Sequence, residues 1–260
     1  MSDIKVYTLY SGSSGNCVYI SSPGAKILID AGKSARTLAA SLRAAGGELF
    51  DIDAIFVTHG HSDHTSALAQ LMRQSRLKVH MTEETAAEVR ERDRYAVDTI
   101  ETHPRVYETS VGDLTVRSFV TSHDSPGSVG YIVSSPRETL GIATDLGYVT
   151  RGIFEKLSKC DRVIIESNYD PTMLRTGSYP YYLKQRISSD HGHLSNDDCA
   201  RVVSALADAG VRSFLLAHLS AENNTPEKAL AASCRTLVEG GHKDDTIISV
   251  ADRHMPTFFE

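Results

Sequence analysis

Apolar and polar positions alternate along the chain in short blocks that read as strands, separated by longer blocks with helical spacing. Lys5-Val6-Tyr7-Thr8-Leu9 predicts a first strand. Val18-Tyr19-Ile20 and Lys26-Ile27-Leu28-Ile29-Asp30 predict a hairpin closed near Ser22-Pro23-Gly24. Ser34 is placed to cap a helix through about Ala45, with Leu38 and Leu42 on one face and Gly46-Gly47 as its stop. Ala54-Ile55-Phe56-Val57 predicts a buried strand, 66–72 a helix behind it, Leu77-Lys78-Val79-His80-Met81 a strand, and 82–94 a further helix. From Val106 to Asp145 the pattern turns to strands, at 114–119, 129–133 and 139–145, and another follows at 162–165. Ser195 with Asp198 predicts a capped helix through about Ala209, Phe214-Leu215-Leu216-Ala217 the last buried strand, Thr225-Pro226 a helix through Glu239, and Ile247-Ile248-Ser249-Val250 a closing strand. With no repeat and no low-complexity linker, residues 1–260 are expected to form a single domain.

The buried strand at 54–57 breaks into Thr58-His59-Gly60-His61-Ser62-Asp63-His64, which holds three histidines and an aspartate within six residues. Neutral imidazole and carboxylate are the usual ligands of a borderline transition metal. His59 and His61 sit two apart, as on one side of an extended turn, and Asp63 and His64 can face a second position. That is more than one ion needs if other ligands arrive from elsewhere, so the stretch reads as half of a two-metal site. A histidine-rich surface loop is the competing reading, but it does not explain why the cluster ends a buried strand and opens a helix. Other predicted strands end in Asp30, Asp145 and His218. A scaffold that collects donors at neighbouring strand ends is what a catalytic metal site needs. The small-residue loop Ser11-Gly12-Ser13-Ser14-Gly15-Asn16 lets a backbone approach a ligand or the metal loop, or is an ordinary hairpin turn.

Composition narrows this further. Hydrophobic residues make up 41% and charged residues 23%, ordinary for a globular protein with a sizeable core. The formal net charge of −6 requires any nucleic-acid partner to be met by a local basic patch. Such a patch is offered by about 170–194, a Tyr-rich and basic segment with Arg175, Tyr179, Tyr181, Tyr182, Lys184 and Arg186, which reads either as a single-strand track or as a solvated amphipathic helix. Cys17, Cys160, Cys199 and Cys234 are far apart and form no CxxC pair, which suits reduced thiols. No apolar run is long enough to cross a bilayer, and Met1-Ser2-Asp3-Ile4-Lys5 lacks a secretory pattern, so a cytoplasmic location without a membrane partner is expected. His80 and His103 read as strand residues near the surface, and His191, His242 and His254 as surface residues.

The set Asp30, His59-x-His61-x-Asp63-His64, His123, Asp145 and His218 resembles the metallo-β-lactamase-fold hydrolases in motif order and strand-end placement. The resemblance implies an α+β four-layer αββα sandwich with the metal site at the edge of the two sheets, residues 170–194 being a substrate-side insertion. It implies two divalent metal ions, Zn or Mn with Fe also admitted. His59, His61 and His123 would hold the first ion, Asp63, His64 and His218 the second, and Asp145 would bridge both. Asp30 would orient the metal loop by hydrogen bonds. The chain is more closely similar to the YycJ/WalJ-like branch, in Ser11-Gly12-Ser13-Ser14-Gly15-Asn16, Glu166-Ser167-Asn168, Tyr179-Pro180, Leu183-Lys184-x-Arg186-Ile187, Gly192-His193-Leu194-Ser195-Asn196 and Leu216-Ala217-His218-Leu219-Ser220-x-Glu222-Asn223-Asn224. Tyr169 departs from the branch, many members of which carry a histidine after Ser-Asn.

Members of the branch are regarded as 5′-to-3′ exonucleases acting on DNA. The expected activity is therefore a dinuclear-metal phosphodiesterase in which a metal-bridging hydroxide is the nucleophile. Asp63 and His193 are its expected catalytic residues, His193 donating to a phosphate oxygen or a leaving alkoxide. Ser195, Lys184 and Arg186, with His193, are the expected substrate contacts. A small-substrate hydrolase acting on a cyclic phosphodiester, thioester or lactone is the alternative. A non-hydrolytic redox or scaffold protein fits less well, since the hydrolytic ligand set is complete and no flavin-binding element is present.

Overall fold

The computed structural model describes residues 4–74, 77–92, 99–242 and 244–260. The chain divides into two compact units. One comprises Met1–Val120, Ser125–Glu138 and Asp252–Glu260, the other Thr121–Asp124 and Thr139–Ala251.

In the first unit the alternating N-terminal blocks form β1 (Lys5–Tyr10), β2 (Cys17–Ser21) and β3 (Lys26–Ile29), followed by β4 (Ala54–Phe56), β5 (Lys78–Thr82) and β6 (Ile100–His103). With the C-terminal strand Thr257–Phe259 they make one seven-stranded sheet, ordered C-terminal strand, β1, β2, β3, β4, β5, β6. Pairing is antiparallel up to β3 and parallel from β3 to β6. Parallel strands bring their carboxyl ends to one edge, where α/β sheets place their sites. The Ile29–Phe56 register thus sets Asp30 beside the exit of β4, and Asp30 N donates to Phe56 O at 2.8 Å.

Helix α1 (Ala35–Ala44) starts as expected at Ser34, whose side chain accepts from Thr37 N. Its Leu38 and Leu42 pack into a core with Tyr19, Leu28, Ile55 and Val79. The helix expected at 66–72 is two pieces, α2 (Ser62–Thr65) and α3 (Leu68–Gln74). Helix α4 (Glu83–Arg92) follows β5, and the last two residues of its expected span lie outside the described residues. The strands β7 (Glu108–Val111), β8 (Leu114–Val120) and β9 (Val129–Ser134) form an antiparallel meander in this unit. His80 is a strand residue as expected, but it is buried rather than near the surface. Its ring stacks on Phe56 at 4.7 Å and its Nδ1 lies 2.9 Å from His103 Nε2. A half-buried sheet accepts a histidine whose polar edge finds a partner, and residue type alone does not report that.

The second unit is built on four parallel strands, β10 (Thr139–Ala143), β11 (Arg162–Glu166), β12 (Ser213–Ala217) and β13 (Ile247–Val250). Every residue of β11 and β12 is buried, around the apolar runs Val163-Ile164-Ile165 and Phe214-Leu215-Leu216-Ala217 typical of a covered parallel sheet. The crossovers carry α5 (Arg151–Leu157), then α6 (Pro171–Thr176), α7 (Tyr181–Ile187) and α8 (Asn196–Asp208), then α9 (Pro226–Glu239). The cap residues are Thr150, Asp170, Ser195 and Thr225 for α5, α6, α8 and α9. Helix α7 has no buried residue.

Candidate metal centre

Among the described residues only three without a glycine's freedom have positive φ: Asp30 at 65°, Asp145 at 57° and His218 at 56°. All three follow the carboxyl ends of parallel strands. Left-handed backbone costs a non-glycine residue about 1–2 kcal/mol, so the surroundings must hold it in place.

In the first unit that hold is visible at Asp30. Its Oδ1 accepts from Thr58 N at 2.8 Å, and its Oδ2 accepts from Thr58 Oγ1 at 2.9 Å and from His64 Nδ1 at 2.8 Å. One buried carboxylate therefore fixes the start of the histidine loop and the tautomer of His64, leaving His64 Nε2 as its donor atom. His59 Nε2 and His61 Nδ1 lie 3.0 Å apart, and the His59 and His64 rings are 4.1 Å between centroids. Asp63 Oδ2 is 3.4 Å from His64 Nε2. This half thus brings together His59, His61, Asp63, His64 and Asp30.

The small-residue loop at 11–16 lies against this segment. Asn16 N donates to Asp63 O at 2.8 Å, and Asn16 Nδ2 is 3.0 Å from His64 Nε2. Gly32 lies so close that a Cβ there would sit 1.5 Å from Asp63 O. Behind the loop, Arg92 donates to Gly60 O and to Thr65 Oγ1, and a Cβ on Gly60 would strike Glu88 Oε2 at 2.1 Å. Nothing in the sequence pattern marks Glu88 or Arg92, because both are ordinary helix-face residues.

In the second unit Asp145, Glu166, His193 and His218 each offer a ligand atom within 4.8 Å of the others. Glu166 is fully buried at the end of β11. Its Oε1 is 2.8 Å from His193 Nδ1 and 2.7 Å from His218 Nδ1, while its Oε2 accepts from Leu146 N and Leu194 N at 3.1 Å each. Asp145 Oδ1 lies 3.8 Å from His123 Nε2, 3.7 Å from His193 Nδ1 and 3.6 Å from His218 Nε2. His123 Nδ1 donates to Gly192 O at 3.1 Å, and Asn168 Nδ2 to His218 O at 2.8 Å. Glu166 carries no role in the sequence reading. Its one local signal is a carboxylate closing the apolar run Val163-Ile164-Ile165.

Electrostatics follow the contacts. Burial depresses the His123 pKa, with Asp145 opposing. Burial also works against a charged His193, but the Glu166 carboxylate outweighs it and the pKa is raised. Burial alone would raise Glu166, yet His193 and then His218 hold its carboxyl well below the usual range. Nitrogen and carboxylate oxygen donors, without a thiolate, suit Zn²⁺, Mn²⁺ or Fe²⁺.

The expected substrate contacts are less open. Ser195 caps α8, its Oγ accepting from Asp198 N and donating to the Asp198 carboxylate. Lys184 Nζ donates to Arg175 O and Gly177 O at 2.9 and 2.7 Å. Arg186 pairs with Asp124. Tyr169 is buried and bridges to Ser195.

A family model described as the β-lactamase superfamily domain matches residues 25–219. The chain is 33% identical over 256 residues to exodeoxyribonuclease YycJ of Bacillus anthracis, covering 96% of each chain. It is 35% identical over 235 residues to exodeoxyribonuclease WalJ of Streptococcus pneumoniae serotype 2, covering 88% of this chain and 87% of that one. In structure it resembles the metallo-β-lactamase fold protein YhfI of Bacillus subtilis, with 15% identity and a TM-score of 0.74 over 99% of this chain and 100% of that one. The fold class is therefore the expected one, the αββα metallo-β-lactamase fold. With its strand-end histidines and carboxylates in place, the chain belongs to the β-lactamase superfamily, in the YycJ/WalJ-like branch, and is a metal-dependent hydrolase.

Proposed function

We propose that this metal-dependent phosphodiesterase is a 5′-to-3′ exonuclease acting on DNA, with residues 1–260 working as one catalytic domain in the cytoplasm. The observation that carries the reading is the 33% identity, across 96% of both chains, to a protein named as an exodeoxyribonuclease. The donor set agrees with it.

In this reading His59, His61 and His123 would hold one divalent ion, Asp63, His64 and His218 would hold a second, and Asp145 would be shared between them. Zn²⁺ and Mn²⁺ fit these donors, as does Fe²⁺. When bound, the ions would activate water and neutralise charge building up on the phosphodiester. Asp30 and Glu166 keep the Nδ1 atoms of His64 and His218 engaged, so each ring presents Nε2. Glu166 also favours protonated His193, which is then able to pass its Nε2 proton to the leaving oxygen of the scissile phosphodiester. One P–O bond breaks as water adds to phosphorus, leaving a phosphate on one fragment and a hydroxyl on the other, a released nucleotide and a shortened strand.

The test is purified protein with Mn²⁺ or Zn²⁺ against 5′- and 3′-labelled single- and double-stranded DNA, with RNA and a small phosphodiester as controls. Stepwise shortening from the 5′ end of DNA is the expected result. Hydrolysis of the small phosphodiester without any cutting of DNA would replace the nuclease reading with the small-substrate one.

A further inference from the structure

Two of the basic side chains expected to track the substrate, Lys184 and Arg186, have partners within the protein. Lys184 is held by two backbone carbonyls and Arg186 by Asp124. The same helix leaves two large rings in solvent, Tyr181 at 76% and Tyr182 at 74% exposed, alongside Gln185, which donates to Tyr181 OH at 2.6 Å, and Arg186. Consecutive residues on a helix point about 100° apart, so these rings present two separate faces. Exposed neighbouring rings of this size mark a contact surface. Tyr148, 47% exposed, lies three residues past Asp145, on a loop whose Gly147 would place a Cβ 2.3 Å from Asp190 O.

Helix α7 is also tied by backbone to the candidate site residues of its own unit. His193 N donates to Ile187 O at 2.9 Å, and His123 Nδ1 donates to Gly192 O at 3.1 Å. A Cβ on Gly192 would sit 2.2 Å from the carbonyls of Arg186 and Ile187. The spacing between the tyrosines and His193 is therefore set by packed main chain rather than by a flexible linker.

We propose that Tyr181 and Tyr182 form a stacking platform for unpaired nucleobases of the substrate strand. This rests on the nuclease reading above. Tyrosine faces stack any base, so the platform favours single-stranded ends without selecting sequence.

The test compares wild type with Tyr181→Ala/Tyr182→Ala and with Tyr181→Phe/Tyr182→Phe on a single-stranded oligonucleotide and on an abasic strand of equal length. The alanine pair is expected to raise KM on the normal strand about tenfold or more, with kcat nearly unchanged, and the phenylalanine pair to restore it. On the abasic strand the three proteins should converge. An alanine pair with wild-type KM on the normal strand overturns the platform while leaving the nuclease reading standing. A wild-type protein that cuts no DNA sinks the nuclease reading and the platform with it.

Discussion

Glu166 and His218 end neighbouring parallel strands and meet at 2.7 Å, Oε1 to Nδ1, inside a fully buried pocket of side chains. The β11–β12 register, pairing Glu166 with Ala217, makes this contact a property of the sheet. Groups that orient a ligating histidine are worth about 10–100-fold in metal affinity. Glu166→Ala is therefore expected to weaken metal binding by that factor in a folded protein, as read by chelator competition alongside circular dichroism. Wild-type affinity in the variant would remove Glu166 from this role.

The proposed ligands and His193 should separate in assay. His61→Ala or Asp145→Ala is expected to abolish hydrolysis without unfolding the protein, and full activity in metal-stripped enzyme would defeat the mechanism. His193→Ala is expected to lower turnover by about 10²-fold or more with metal content kept. If metal content collapses instead, His193 is a ligand.

Gly32 gives a stability test. A Cβ there would meet Asp63 O at 1.5 Å and Asn16 N at 2.6 Å, both main-chain atoms. Gly32→Ala is expected to destabilise the fold by about 3 kcal/mol or more, as a lower urea midpoint at constant slope. A change within about 0.5 kcal/mol would show that the two loops are not in contact.

His80 makes stability depend on pH. Burial lowers its pKa to about 4 from an ordinary 6.5, and neighbouring His103 adds to the shift while Glu101 opposes it and Lys78 reinforces it. The unfolded chain then binds more protons between these values. The contribution is complete above about pH 6.5 and is lost as pH falls toward 4. Between pH 7.5 and 5 this amounts to about 2 kcal/mol. His80→Phe should lose correspondingly less over that interval in urea titrations, and a wild-type pH response in the variant would contradict the assignment.

The histidine loop was legible because its donors lie within one turn of chain, where spacing is itself geometry. Asp30, Asp145 and His218 were legible as polar residues ending apolar strands. Glu166 ends its strand in the same way, but its role was not legible, since its partners His193 and His218 are 27 and 52 residues away. The loop at 11–16 stayed ambiguous because only the close approach of Gly32 and Asn16 to Asp63 distinguishes a clamp from a turn. Lys184 and Arg186 show the converse case. Their charge was plain, but charge in a sequence does not say which carbonyl or carboxylate already holds it.

By itself the sequence determined the periods of its strands and helices, their caps and the donors at their ends, because these depend on residues a few positions apart. The tertiary structure alone decided which donors share a carboxylate, which rings are buried and which cations are already engaged. Those outcomes depend on strand register, which sets distances between residues that no local pattern relates.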